Sequence, residues 1–447
     1  MSDDIFNFFT DIIKLGKSKG ASATEVVLQK SLSQNQQIRM GKVEESERSE
    51  EEILGIKIRL GQKESAITSN GKTMAVIEPL MDKLFAMAKV LPDNPFAGEA
   101  LSDQLYKKNN NQADLEIFDS TDLTPNVMQD IAKKIEDAAR SEKNIVNSEG
   151  ASVSFGHTHS WFLFSNGFYA KQSHSHYALG ISIIAGDGKN MEADYDYSSK
   201  VFFKDLQSPE KLGKRAASRA RRLLGARQEK SGQYSIIFDP RVATSMIGIL
   251  ASAINGHKLA KGTSFLQDKL DKKIMSDNIT MIDDPWQKRG FASEYYDGEG
   301  LPTLKRNIID KGVLTSYVLD LATARQLQLS PTGHAHRGLL GVYPSLSNVH
   351  IEAGAISPEN LMADIKSGFY ITSLMGFGVN GVTGDYSQGA SGFWIIDGKI
   401  SHPVNEMTIA GNLKDMFIHI TPADDLHFDY HNNAPTLRFD GMTIAGK

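Results

Sequence analysis

Four histidines have a spacing that suggests metal chemistry. His157 and His159 precede, and His174 and His176 follow, the segment Ser165-Asn166-Gly167-Phe168, which has the residues of a two-residue hairpin turn. With Asn166 and Gly167 as the loop, His159 faces His174 and His157 faces His176. Alternate strand residues share a face, so all four imidazoles would project from one side, with cross-strand Cβ separations of roughly 5 Å. The pattern is a candidate metal cluster. Two flat pairs make no tetrahedron unless the ribbon bends, no carboxylate stands in adjacent sequence to orient the rings, and a bulge would destroy the register. The competing reading is an exposed polar ribbon or a subunit contact.

Other reactive groups are less defined. His334 and His336 fall in a segment of turn formers, Ser330 to Gly338. Asp283-Asp284-Pro285 and Glu299 place carboxylates around Trp286 and Tyr295-Tyr296, with no spacing that sets their mutual distances. There is no G-x-S-x-G elbow, no G-x-x-x-x-G-K-[ST] phosphate loop and no dinucleotide fingerprint.

The segment Gly376 to Phe417 is the most unusual in backbone chemistry. Gly376, Gly378, Gly381, Gly384, Gly389 and Gly392 crowd together, a density that lets another backbone approach closely. Phe393 to Ile396, the pair Asp397-Gly398 and the residues from Lys399 read as a hairpin. An extended peptide can be held by main-chain hydrogen bonds to a sheet edge. Gly376, Gly378, Asn380, Thr383, Asp385, Gln388 and Ser391 are therefore expected to line a peptide-binding channel. The alternative is that the glycines serve turns and packing alone.

The same block carries a family pattern. N-G-V-T-G-D-Y-S-Q-G-A-S-G-F-W-I from Asn380 and H-P-V-N-E-M-T-I-A-G-N from His402 resemble the TldD/PmbA family, in its PmbA (TldE) branch. Gly20 to Val26, Met40 to Ser46, Thr68 to Gly71, Phe164 to Phe168 and Asp440 to Gly446 follow in the family's order, so the resemblance spans nearly the whole chain. It implies a cytosolic peptidase of two related halves acting on unfolded peptides, in peptide maturation or antitoxin degradation. The TldD half carries zinc on a helical His-Glu-x-x-x-His motif with a further cysteine, and the PmbA half is its partner.

The helix expected to bear that motif begins at Asp239, a good N-cap, with Pro240 at its first position. Val242, Met246, Ile249 and Leu250 follow at helical spacing, and the helix is expected to run on to His257. Aligned to the family, Ala251, Ser252 and Gly256 stand where the first His, the Glu and the second His would be. The chain has no cysteine, and Asp425 to Pro435 is too short for the glycine-rich cysteine loop of the catalytic half. His257 reads as a satisfied or exposed histidine. The resemblance thus implies no catalytic residue and no cofactor in this chain, zinc in a TldD-like partner, and a homodimer when isolated. The alternative is a noncatalytic peptide-binding or regulatory homodimer, with any gyrase-modulating role indirect.

Periodicity places these features in an α+β architecture, an N-terminal mixed domain plus a β-rich C-terminal domain, matching the PmbA/TldD-like fold. Helices are expected around Ile5 to Ile13, Leu80 to Ala88 and Val127 to Ile135. Strands are expected at Glu25 to Leu28, Gln36 to Met40, Glu51 to Leu60 and Glu64 to Thr68. The expected divisions are 1–200, a basic helical connector over 201–232, and 233–447. In that connector Leu212, Ala216, Ala220, Leu223 and Leu224 form a stripe opposite Lys214, Arg215, Arg219, Arg221 and Arg222. A net charge of −5 and the lack of a recognition motif argue against nucleic acid. No apolar run is long enough to span a bilayer, the acidic start Met1-Ser2-Asp3-Asp4 is unlike a secretory signal, and the first helix lacks a cationic face for lipid. A cytoplasmic location is expected.

Overall fold

The computed structural model describes residues 2–109, 112–376 and 378–447; Met1, Asn110, Asn111 and Phe377, the last within the glycine-rich block, lie outside it. The first half is built on six antiparallel strands, β1 (Ala23–Arg39), β2 (Lys42–Leu60), β3 (Lys63–Ser69), β4 (Ile145–Phe164), β5 (Tyr169–Gly186) and β6 (Met191–Lys200), in the order β3-β2-β1-β4-β5-β6. The short strand candidates at Glu25 and Gln36 are parts of one long strand, because the polar residues between them remain paired with both neighbours. Met40 and Gly41 close the first hairpin in the left-handed region, at φ 52° and 77°.

Among the described residues, the four α-helices of this half cover one face of the sheet. α1 (Ser2–Ser18) and α2 (Met74–Val90) pack on Val26, Leu28, Leu54 and Ile56, while α3 (Pro125–Arg140) and α4 (Pro209–Arg222) pack on Val153, Phe155, Leu179 and Ile181. The strands alternate accordingly, with Tyr177, Leu179, Ile181 and Ile183 buried on that face. The opposite face, including Val27, Phe162, Phe164 and Ala170, meets Tyr296 and Leu339 of the second half.

The expected connector is corrected here. α4 buries Leu212, Ala216, Ala217 and Ala220 beside α3 and completes the first domain. Its arginines are engaged within the chain. Arg215 and Arg219 clamp the buried carboxylate of Asp196, the latter at 2.8 Å, Arg221 reaches Glu142 at 3.0 Å, and Arg222 lies 4.5 Å from the Phe393 ring centroid.

The second half opens with β7 (Gly232–Phe238), α5 (Pro240–Ala253) and α6 (Gly256–Ala260). A small sheet of β8 (Met281–Asp283), β9 (Arg306–Asp310), β10 (Val313–Leu314) and, beyond α7 (Leu321–Leu327) and the pair β11 (Ala335–Arg337) and β12 (Val342–Pro344), β13 (Val349–Ile351) follows. Then come β14 (Ser367–Met375), β15 (Asp385–Ile396), β16 (Lys399–Asn412), β17 (Ile420–Pro422) and β18 (Leu437–Ala445). β16 pairs with β15 and also with β18, so the sheet closes through β14 and β7 into a ring, with β17 appended to β18. Side chains of α5, Phe369, Ile371, Tyr386 and Ile409 share its core. The Asp397-Gly398 turn forms as read, joining Ile396 to Lys399.

Candidate functional site

α5 starts where its signals put it, with the Asp239 carboxylate accepting from Arg241 N–H at 3.0 Å and Pro240 in the first turn. It stops at Ala253, earlier than the expected run to His257. Asn255 leaves the helical path, caps α6 by accepting from His257 N–H at 2.9 Å, and donates to the Pro344 carbonyl at 2.8 Å. Ala251 and Ser252 therefore lie in the last turn of α5, and Gly256 opens α6. The Lys258 ammonium donates to the Ser252 hydroxyl. Gly256 is packed against Thr323 and Leu319 so closely that a Cβ there would collide with the Thr323 side chain. His257 is exposed, its Nε2 3.5 Å from Asp320 Oδ2. A methyl, a hydroxyl already bound by an ammonium and a bare hydrogen do not fit zinc, which takes His, Cys or carboxylate ligands.

The four-histidine cluster is overturned by one residue of register. The hairpin loop has three residues, Ser165, Asn166 and Gly167, closed by Phe164 N–H donating to the Phe168 carbonyl at 2.9 Å, with Gly167 at φ 95°. His174 consequently pairs with Thr158 and His176 with Gly156, which puts these two histidines on the face opposite His157 and His159. His157 Nε2 meets Tyr177 Oη at 3.0 Å and His159 Nδ1 meets Ser173 Oγ at 2.7 Å, both beside the Phe118 ring on the helix-covered face. His176 contacts Ser199 Oγ at 2.8 Å and packs against Phe291. Burial holds all four below the ordinary imidazole range, His174 at about 4.

The glycine-rich block forms strands and a self-bonded loop. β15 is paired to β14 from Gly389 to Ile396 and to β16 along its length, and Ser387 N–H donates to the Gly378 carbonyl at 2.7 Å. The free edge needed for strand addition is thus filled by the chain itself. Gln388 lies opposite Ile409, and Ser391 opposite Ser373. Asn380 Oδ1 accepts from Val382 and Thr383 N–H at 3.0 and 3.2 Å, and Asp385 accepts from Thr383 Oγ1 at 2.6 Å and Asn412 Nδ2 at 3.0 Å. Gly376, Gly378, Asn380, Thr383 and Asp385 are nevertheless exposed and leave a polar surface.

A gathering of titratable groups lies where the sequence shows only scattered carboxylates. A cavity of about 450 Å³ separates the exposed-side residues of β4 and β5, including Ser160, Gln172 and His174, from the stretch 283–347. Asp283 accepts from Ser347 N–H at 2.7 Å and Oγ at 3.0 Å, and its second oxygen meets His334 Nε2 at 3.2 Å. Asp297 accepts from the N–H groups of Glu299 and Leu301, both at 2.9 Å, and of Ala335 at 3.2 Å. Burial lifts Asp297 to about 6 against these donors. Burial and the nearby carboxylates of Asp297 and Asp283 push Glu294 well above the ordinary range. The available signal was the long stretch Asp284 to Lys305, rich in aromatic and acidic residues, without helix or strand of its own.

The order of elements and the closed ring recur in known proteins. Residues 118–224 match the PmbA/TldA metallopeptidase central domain and residues 231–446 its C-terminal domain. The chain is 33% identical over 434 residues to the metalloprotease PmbA of Escherichia coli O157:H7, covering 97% of this chain and 93% of that one. A crystal structure from Bacteroides thetaiotaomicron, of a proposed modulator of DNA gyrase, superposes with a TM-score of 0.91 at 27% identity over 100% of this chain and 99% of its own. The TldE structure from Thermococcus kodakarensis shares the fold, with a TM-score of 0.85 at 20% identity over 98% of this chain and 100% of its own. The chain belongs to the PmbA/TldD metallopeptidase family.

Proposed function

We propose that this chain is the noncatalytic, PmbA/TldE-like half of a two-subunit peptidase, working with a TldD-like partner that holds the zinc and acting on unfolded peptides in the cytoplasm. One observation carries the reading. In a chain related to PmbA along nearly its full length, the corner between α5 and α6 presents Ala251, Ser252 and Gly256, with the Lys258 ammonium over the only hydroxyl. An ammonium there repels a cation as well as occupying the one oxygen, and Gly256 has no room for a ligating side chain. The proposed contribution of this half is surface and shape. Its exposed loop at Gly376, Gly378, Asn380, Thr383 and Asp385 would meet the peptide or the partner through side chains and not by strand addition.

Neither lipid nor nucleic acid belongs in the proposal. Among the described residues no helix is long and apolar enough to cross a membrane. Arg215 and Arg219 share the Asp196 carboxylate and Arg221 is paired with Glu142, so these arginines of α4 are engaged within the chain. The test is to combine the purified chain with its TldD-like counterpart and an unfolded peptide. Cleavage only by the mixture is expected. Cleavage by this chain alone overturns the reading, and no cleavage by any combination favours a regulatory homodimer.

A further inference from the structure

The cavity between the sheet and the 283–347 stretch has no role in the peptidase reading, yet its walls are built for a ligand. Its volume, about 450 Å³, falls in the range of small-molecule pockets. Its two aspartates are tied to N–H donors, but Glu294, half-buried and lining the cavity, receives no hydrogen bond or ion pair at its carboxyl from any of the described residues. A carboxyl that faces a cavity and is left unpaired by the protein is open to a partner that enters from outside.

The sign of that partner follows from the walls. Arg337, the arginine lining the cavity, donates to Glu25 at 2.7 Å and to the Gly298 carbonyl, and stacks 4.5 Å over the Phe164 ring centroid. His174 is neutral at physiological pH, because burial and the neighbouring His336 hold it at about 4. Among the described residues lining the cavity, no arginine or lysine is left unpaired to receive an anion. Phe168, Phe291 and Tyr296 line the same space, and aromatic faces attract cations. We propose that the cavity binds a small organic cation, an alkylammonium or alkylguanidinium group, with the Glu294 carboxylate as counter-ion and the aromatic rings around its methylenes. A bare metal ion suits it less, since among the described residues no three His, Cys, Asp or Glu side chains are arranged to hold one.

Binding then carries a proton signature. In the free protein burial and the facing carboxylates of Asp297 and Asp283 favour the protonated form of Glu294, with His174, His334, His336, Tyr296 and Arg337 as the other titratable groups on the wall. The entering cation favours the carboxylate, and the carboxyl proton leaves to solvent as the ion pair forms. The inference concerns this chain alone and stands whether or not a zinc-bearing partner assembles with it.

Calorimetric titration of the full chain with n-butylammonium and n-butylguanidinium chlorides, in two neutral buffers of different ionisation enthalpy, tests it. Expected are a Kd of about 1 mM or tighter, no binding of neutral n-butanol, heats that differ between buffers, and weakening of at least about tenfold in Glu294→Gln, which is ~1.4 kcal/mol. Glutamine keeps the shape of the protonated acid. Wild-type protein that binds the cations no better than butanol, or a Glu294→Gln variant that binds them as well as wild type, overturns the proposal. Should that variant fail to fold, wild-type heats identical in the two buffers do the same.

Discussion

The α5–α6 corner and the carboxyl-lined cavity are neighbours in the second domain, linked through the bond from Asn255 to Pro344 beside Ser345 on the cavity wall. They treat their polar atoms in opposite ways. At the corner the groups the family pattern singles out are small and satisfied: Ser252 is held by Lys258, His257 lies beside Asp320, and Asn255 makes bonds at both ends of its amide. In the cavity, Glu294 lies near the carboxylates of Asp297 and Asp283 and receives no bond at its carboxyl from the described residues. Family resemblance points to the first place and physical cost to the second. The position that the resemblance singles out is filled by small, bonded groups, while the cavity wall keeps an unpaired carboxyl of the kind that accompanies functional sites.

The largest expected effect comes from forcing the corner back toward a ligand set. Gly256→His should destabilise the chain by about 3 kcal/mol or more, the upper end of overpacking costs, because its side chain must enter space held by Thr323 and Leu319. Denaturant unfolding measures it; a neutral result would mean the corner has room for a ligand after all. Nearly as large is Asp196→Ala beneath α4. Removing the carboxylate strands the guanidiniums of Arg215 and Arg219, at about 3 kcal/mol. Asp196 thereby calibrates what a fully paired buried carboxylate is worth, for comparison with Glu294.

Glu294→Gln should act in the opposite direction. A carboxyl whose folded pKa lies above its unfolded one costs nothing at low pH, and its penalty grows as pH rises, because the unfolded chain releases the proton first. The melting temperature of Glu294→Gln should therefore exceed that of wild type at mildly alkaline pH, and the two should converge towards pH ~4 as the carboxyl becomes protonated in both states. A variant less stable than wild type at alkaline pH would show that Glu294 has a partner.

The elements were more legible than their relations. Asp239-Pro240 announced the start of α5, and Asp397-Gly398 a two-residue hairpin, because caps and turns are set by residues adjacent in sequence. The end of α5 was not, since Asn255 leaves the helix for the Pro344 carbonyl, about 90 positions on. The histidine ribbon failed for a similar reason. A two-residue and a three-residue loop both suit Ser165-Asn166-Gly167, and the choice reverses every side chain of β5. The glycine-rich block read correctly as strand and turn, but whether its edge is free depends on the ring closing through β16 and β18. The carboxylates of the cavity were visible one by one. Their convergence depends on how 22 irregular residues between β8 and β9 fold over the open face of β4 and β5.

The smallest expected effect is the most discriminating for the corner. Ser252 stands at the position the family pattern assigns to a general base, so its own contribution separates a relic from a working residue. In Ser252→Ala the exposed bond from Lys258 is lost and nothing is left buried without a partner, so stability should change by less than ~1 kcal/mol. If the corner is structural, the rate at which the mixed subunits cleave an unfolded peptide should also stay within about twofold, below ~0.5 kcal/mol in activation free energy. A loss of tenfold or more with stability unchanged would be an effect on the reaction itself. Ser252 and Lys258 would then contribute to the partner's chemistry, and the contrast between a silent corner and a strained cavity would fail on the corner's side.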